Sequence, residues 1–294
     1  VEKKPFWTLQ RKQAAVAYLF LLIPLIFFLA IRIYPALDAF KTSFQVKGSQ
    51  PFYYHYQAML SDKVFSKALI NTILYVVITV PLQMLIGLGL ALLIQSLNKG
   101  RGIYRFIYFI PYVTSAVAVS WIWRWMYFKD LGVFNEILKF FGIPAQPFLT
   151  HPSQALISIA AVIIWQAVGF NMLIFLAGLE AIPKLYYEAS AIDGANRRRT
   201  FFHITLPLLN PTIVFLAVTG VINSLQTFTQ VLNMAGAQGG PLNSTKSLVV
   251  YIYNKAFLNF NMPYGAAMTV VLFLLILMIT IIQIKFLSRS YEHS

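Results

Sequence analysis

The side chains able to hold a metal, move a proton or attack a carbonyl are few, and their placement argues against all three tasks. The four histidines, His55, His151, His203 and His293, fall in different connectors, with no HExxH pair and no second ligand at metal spacing. There is no cysteine, which excludes disulfides, thiolate metal sites and cysteine nucleophiles. No GxSxG sequence occurs. Ser244-Thr245-Lys246-Ser247, after Gly239, Gly240 and Pro241, looks superficially like a phosphate loop. Ser244 and Thr245 stand where GxxxxGK[ST] needs a glycine before its lysine, so ATP is not bound by that route. We expect no catalytic group, metal or cofactor on this chain.

Two other patterns carry more information. Thr219, Asn223, Gln226, Thr227, Gln230 and Asn233 recur at three- and four-residue steps, which places them on one face of a helix over roughly 21 Å at 1.5 Å per residue. Such a stripe in an apolar segment cannot face lipid, because unpaired polar groups are costly in hydrocarbon. It either bonds a neighbouring helix or lines a wet path, and neutral amides and hydroxyls match sugar hydroxyls well while releasing the ligand again. Asn171 and Gln166 extend this lining, as does Asn71, although each alone equally serves as packing glue. The second pattern is the polar stretch 178–207. Pro183 suits a first helical turn and Gly194 a C-terminal cap, so residues 183–193 form a three-turn helix lying off the membrane. Ala189, Ser190 and Ala191 give it a smooth surface, and Tyr186 and Tyr187 supply large anchors suited to a partner's cleft. An interfacial bridge between two spans has equal weight on composition alone.

The elements that must hold these residues are membrane helices. Of 294 residues, 59% are hydrophobic and 11% charged, against about 25% charged in a soluble domain. Charge-free stretches predict six spans near 14–34, 68–97, 103–127, 155–179, 206–232 and 264–286, each long enough for the ~20 apolar residues that a crossing needs. Continuous runs of this length are helical rather than barrel strands, giving an all-α integral membrane protein. Pro24, Pro81, Pro111 and Pro211 fall inside spans and predict kinks. The first span has a basic lead, but its apolar run is too long for a signal peptide and lacks a cleavage pattern, so we read it as a retained helix. Val1 in place of Met points to an N-terminal trim.

Lysine and arginine set the orientation. The side holding both termini carries 13 of them and the other side 8, which makes both termini cytoplasmic. The domain plan is therefore a cytoplasmic segment 1–13, a six-helix membrane domain 14–287 with an inner loop 180–205, and a cytoplasmic tail 288–294. The net charge of +14 belongs to connectors between apolar runs, which indicates anionic lipid and not nucleic acid. Trp121, Trp123, Trp125, Tyr127 and Phe128 read as an aromatic belt, with Arg124 and Arg32 snorkelling beside it.

Glu188-Ala-Ser-Ala-Ile-Asp193-Gly194-Ala195, followed by Phe201, Ile204 and Leu206-Pro207, closely resembles the EAA loop of permease subunits from binding-protein-dependent ABC importers. Asn71-Thr72, Gly87-Leu-Gly-Leu-Ala91, Arg105-Phe-Ile-Tyr-Phe-Ile-Pro111, Trp123-Arg-Trp125, Gly239-Gly-Pro-Leu-Asn243 and Tyr251-Ile-Tyr253 look like the carbohydrate branch, of maltose and glycerol-phosphate type. The resemblance extends over about residues 15–287. It implies that the inner loop is a coupling helix docking into a cytoplasmic ATPase, with Tyr187, Glu188, Ala189, Ser190, Asp193, Gly194 and Ala195 in that contact; Ser190 stands where alanine is commoner. It also implies a second permease subunit, two ATP-binding subunits that carry the ATP and magnesium, an external solute-binding protein, a carbohydrate substrate, and a bacterial cytoplasmic (inner) membrane. Eight lysines against four acids in the outward connectors suit an acidic saccharide, and the chain resembles permeases for uronate oligosaccharides such as alginate. The rival reading is an ion-coupled secondary transporter, which commonly buries carboxylates at mid-membrane; none of the nine acids here falls deep in a span.

Overall fold

In hydrocarbon only a segment that closes its own backbone hydrogen bonds is stable, and long runs of Leu, Ile, Val and Phe accordingly wind into helices. The computed structural model describes residues 9–46 and 48–288, all-helical with loops and without strands among them. Residues 1–8 and 289–294 of the two expected terminal segments, and Lys47, lie outside the described residues.

Three expected spans are single helices: α4 (Lys63–Ser96), α8 (Pro152–Ala181) and α15 (Met262–Ser288). The first consists of α1 (Leu9–Phe28), a π-helical turn Leu29–Ile33 and α2 (Tyr34–Thr42); its apolar rod, Val16–Thr42, is longer than expected. The widened turn falls where Pro35, in the first turn of α2, withholds a backbone donor. Pro24 and Pro81 sit inside α1 and α4, which continue past them.

Spans three and five are not continuous helices, contrary to the expectation from hydropathy. α5 (Arg101–Val113) and α6 (Ala116–Met126) meet at 92° across an extended Thr114-Ser115 pair. Span five is cut twice. α10 (Arg197–Thr200), a π-helical turn Phe201–Thr205 and α11 (Leu206–Leu208) lead to a 63° bend at Leu209. α12 (Asn210–Leu225) then ends, and non-helical Gln226–Phe228 precedes α13 (Thr229–Ala235). Pro211 occupies a first-turn position of α12, after the bend, where a missing N–H costs no hydrogen bond, while Pro207, like Pro35, follows a π-helical turn within a continuous helical run and withholds a donor from it. Pro211 thus starts a helix where a kink within one was expected. Short helices α3 (Tyr54–Ser61), α7 (Val133–Phe140), α9 (Lys184–Ile192) and α14 (Leu248–Tyr253) occupy the connectors.

α8 is the hub, and small residues set its crossings. A Cβ on Gly169 would lie 1.9 Å from the carbonyl oxygen of Tyr108 on α5, and one on Gly87 of α4 would lie 2.6 Å from Cβ of Asn171. At Gly178 the same test meets Thr212 Oγ1 of α12 at 2.5 Å. Close backbone approach of this kind is how helices gain packing energy where lipid removes the hydrophobic drive. Side chains of α8 join α4 and α12 around Met172, Phe175 and Leu209 at one end, and α6 and α13 around Ile159 and Val231 at the other. By contrast, no residue of α1 or α2 is classed as buried among those described.

Candidate functional site

A cavity of about 280 Å³ opens where the breaks in spans three and five face α8 and α4. Thr219, Asn223, Gln226, Thr227, Gln230 and Asn171 all line it, joined by Gln83, Gln166, Tyr112, Phe170 and Phe228. The expected stripe therefore converges on one space, but across an interrupted helix and not along a continuous face. Asn233 does not line it: its Nδ2 donates to Thr229 O (2.7 Å) within α13.

The breaks are sealed by side chains. Gln166 Nε2 donates to the carbonyl of Thr114 (3.2 Å), which the turn between α5 and α6 frees, and Gln166 Oε1 accepts from Gln230 Nε2 (3.0 Å). Thr227 Oγ1 donates to Ser224 O (2.8 Å), and Ser247 Oγ donates to Thr227 O (2.6 Å), which holds the second break open. Thr219 bonds its own helix at Phe215 O (2.7 Å). Asn171 donates Nδ2 to Ala167 O (3.0 Å), yet its Oδ1 is buried without a partner. Asn223 and Gln226 are exposed to the cavity, and no side-chain hydrogen bond among the described residues engages either. Tyr112 stacks on Phe170 at 4.8 Å between ring centroids and 17° between planes, which gives the cavity a flat apolar wall.

α9 forms as expected, within a residue at each end. Pro183 is the residue before it and not the first within it. Gly194, at φ +72°, receives the chain in the left-handed region, and the N–H groups of Gly194 and Ala195 donate to Ala191 O (3.1 Å) and Ser190 O (2.9 Å), the paired cap that ends a helix sharply. Tyr187 and Ser190 do not face outward as expected. Tyr187 packs on the bundle and its hydroxyl accepts from Thr205 Oγ1 (3.3 Å), while buried Ser190 donates to Tyr187 O (2.9 Å). The exposed residues here include Leu185, Tyr186, Glu188, Ala189, Ile192 and Asp193. A hollow of about 350 Å³ opens between α9 and the segment from Ala195 to Thr205.

At the opposite end Asp62 caps α4, accepting from Val64 N (2.9 Å) and Phe65 N (3.1 Å), and its second oxygen accepts from Tyr251 (2.6 Å) and Tyr264 (2.7 Å). Burial alone would raise the Asp62 carboxyl; the hydroxyls of Tyr251 and Tyr264 and the two N–H groups outweigh it and hold the group below the usual carboxylate range. Asn71 is absent from the cavity: its Nδ2 donates to Asn243 O (2.9 Å) and Lys246 O (3.1 Å), and Thr72 Oγ1 accepts from Leu248 N (2.8 Å). The two glycine-proline and asparagine-threonine motifs are thus halves of one clasp.

Residues 67–293 match the family described as the inner membrane component of binding-protein-dependent transport systems. The chain belongs to this family. Relatives of the permease include the probable ABC transporter permease protein YesP of Bacillus subtilis, 38% identical over 226 residues, which are 76% of this chain and 72% of that protein. The sn-glycerol-3-phosphate transport system permease protein UgpA of Agrobacterium fabrum is 33% identical over 257 residues, 87% of this chain and 85% of that one. The trehalose/maltose transport system permease protein MalF of Thermococcus litoralis is 31% identical over 283 residues, 94% and 95% of the two chains. In fold, the permease matches a chain of a bacterial ABC transporter involved in import of the acidic polysaccharide alginate, with TM-score 0.86, 23% identity, and coverage of 96% of this chain and 98% of that one.

Several parts of the permease sit differently from the sequence-based expectation. Trp123 and Tyr127 turn inward against Phe134, and only Trp121, Trp125 and Phe128 remain exposed as a belt would be. Arg124 has partners within the protein: its Nη1 donates to Asn233 O (3.2 Å) in the last turn of α13, and its guanidinium lies 4.9 Å from the Trp121 ring. A cation there also complements the negative end of that helix. Gln83, Tyr112, Phe170 and Phe228 escaped the sequence reading. Gln83 was legible as a lone amide in an apolar span; the aromatic residues carried no signal, since they resemble ordinary core.

Proposed function

We propose that this permease is one half of the pathway of an ATP-driven importer for a carbohydrate, paired with a second permease subunit, two ATP-binding subunits and an external solute-binding protein. Both termini lie in the cytoplasm by the lysine and arginine distribution, which puts α9 on the side of the ATPases. ATP and magnesium belong to those subunits, and this chain catalyses no step itself. Closure of the ATPase dimer moves α9 through Glu188, Ala189, Asp193 and Gly194, with Tyr187, Ser190 and Ala195 fixing the helix to the bundle, and the cavity alternates between inward- and outward-facing states. Moving such an equilibrium from 1:99 to 99:1 takes about 5.5 kcal/mol, which nucleotide-driven closure must supply.

The observation that carries this reading is the amide-lined cavity at the breaks of spans three and five, in a member of a binding-protein-dependent transport family. Relatives named for trehalose/maltose, lactose and glycerol phosphate transport support a carbohydrate or related polyol as cargo. The test is uptake by the reconstituted assembly. ATP inside the vesicles should drive accumulation with the binding protein present, and an ionophore should leave it intact; uptake that ignores ATP and collapses with the ionophore would establish the secondary-transporter reading instead. A crosslink from Ala189→Cys to an ATPase subunit tests the docking separately.

A further inference from the structure

We infer that the cavity selects an uncharged saccharide over an acidic one, and that Asn223 and Gln226 are its specificity-determining residues. The inference rests on the importer reading above and narrows its substrate. The relatives divide on this point, since lactose and trehalose/maltose are neutral while glycerol phosphate and alginate are anionic.

None of the cavity's lining residues, all of which are described, carries a charge. A carboxylate or phosphate entering it would shed water without gaining a cation, a far larger penalty than a hydroxyl meets. Helix ends do not replace the missing cation: α12 ends at Leu225 and α13 starts at Thr229 on the two sides of the break, so ends of opposite sign meet there. Arg124 bonds the carbonyl of Asn233, Lys246 and Lys255 lie over the rings of Tyr251 and Tyr264, and none of the three lines the cavity. Hydroxyls, in contrast, find both donors and acceptors. Asn223 and Gln226 have free amides, and the buried Oδ1 of Asn171 lacks a donor that a sugar hydroxyl would supply. The Tyr112–Phe170 pair offers the apolar wall on which a pyranose face rests. The lysines of the outward connectors, which suggested an acidic cargo from sequence, line no part of this space.

The test is equilibrium binding to the complete transporter without its binding protein, so that the permease cavity alone is read. Maltose, trehalose and lactose are compared with an alginate disaccharide. At least one neutral sugar should bind and the uronate should not. Asn223→Ala and Gln226→Ala should each weaken neutral binding about tenfold, with unfolding temperature unchanged. Gln226→Lys should lose neutral affinity and acquire the uronate. Uronate binding equal to or tighter than neutral binding in the unaltered protein would overturn the inference, as would unchanged affinity in both alanine variants. So would absence of binding by any of these sugars while ATP-driven uptake through the binding protein proceeds, an outcome that leaves the importer reading standing. Failure of ATP-driven uptake itself would remove that reading first.

Discussion

Span four passes from Pro152 to Ala181 without interruption, whereas span five is cut at Leu209 and again at Gln226–Phe228. Both are apolar and both line the cavity. α8 presents Gly169 and Gly178 to its neighbours and keeps its single proline at the first position, so nothing opposes a continuous helix. Span five gathers Pro207 and Pro211 at one cut; at the other it has no proline or glycine, and side-chain bonds of Thr227 and Ser247 take over the backbone's partners. One span is a fixed wall and the other supplies the exposed polar groups. The cavity's amides gather where the helix stops, and a break leaves available the backbone partners that a helix interior consumes.

This division can be broken most severely at the wall. Gly169→Leu would force α8 away from α5, where even a Cβ has no room, and should destabilise the fold by about 3 kcal/mol or more; loss of the monodisperse protein in detergent, or a collapsed unfolding temperature, is the readout. Next comes the entrance to span five. A Cβ on Gly194 would meet nothing within 4 Å, so Gly194→Val strains a left-handed backbone by about 1 kcal/mol. Insertion should survive while substrate-stimulated ATPase is abolished; full stimulation would mean that this turn does not couple. Gln166→Leu strips partners from both Thr114 O and Gln230 Nε2 and should cost about 1–3 kcal/mol, with a larger fall in transport than in insertion.

Smaller effects lie at the ends. Because the Asp62 carboxyl titrates below its ordinary value of 3.8, the ionised form stabilises the fold above that value, and the contribution disappears as pH falls through the lowered one. Unfolding temperature should therefore hold from neutrality to about pH 4 and drop below it, and Asp62→Asn should flatten that drop. Arg105→Ala removes the ion pair with Glu180, in which both side chains are more than a third exposed, and should cost less than about 1 kcal/mol.

The sequence made the six apolar stretches, the short helix before Gly194 and the polar set converging on one cavity readable, because each is written in local period and punctuation. It did not reveal the break at Gln226–Phe228, where a hydroxyl from Ser247, twenty residues away, takes up the carbonyl of Thr227. Nor did it separate Asn71 from Asn171. Both are lone amides in apolar spans, and only the three-dimensional neighbours make one a clasp for the loop at Asn243 and the other a wall of the cavity. Tyr187 and Ser190 show the same limit, since a three-turn helix has an inner and an outer side that composition alone does not assign.

A single amide, that of Gln166, spans the two discontinuities: its nitrogen grips the kink of one helix pair and its oxygen the segment beyond the other's gap. Such a crossbar leaves two joints with one shared freedom. If either segment swings by more than a hydrogen bond tolerates, the other must travel with it or the link parts.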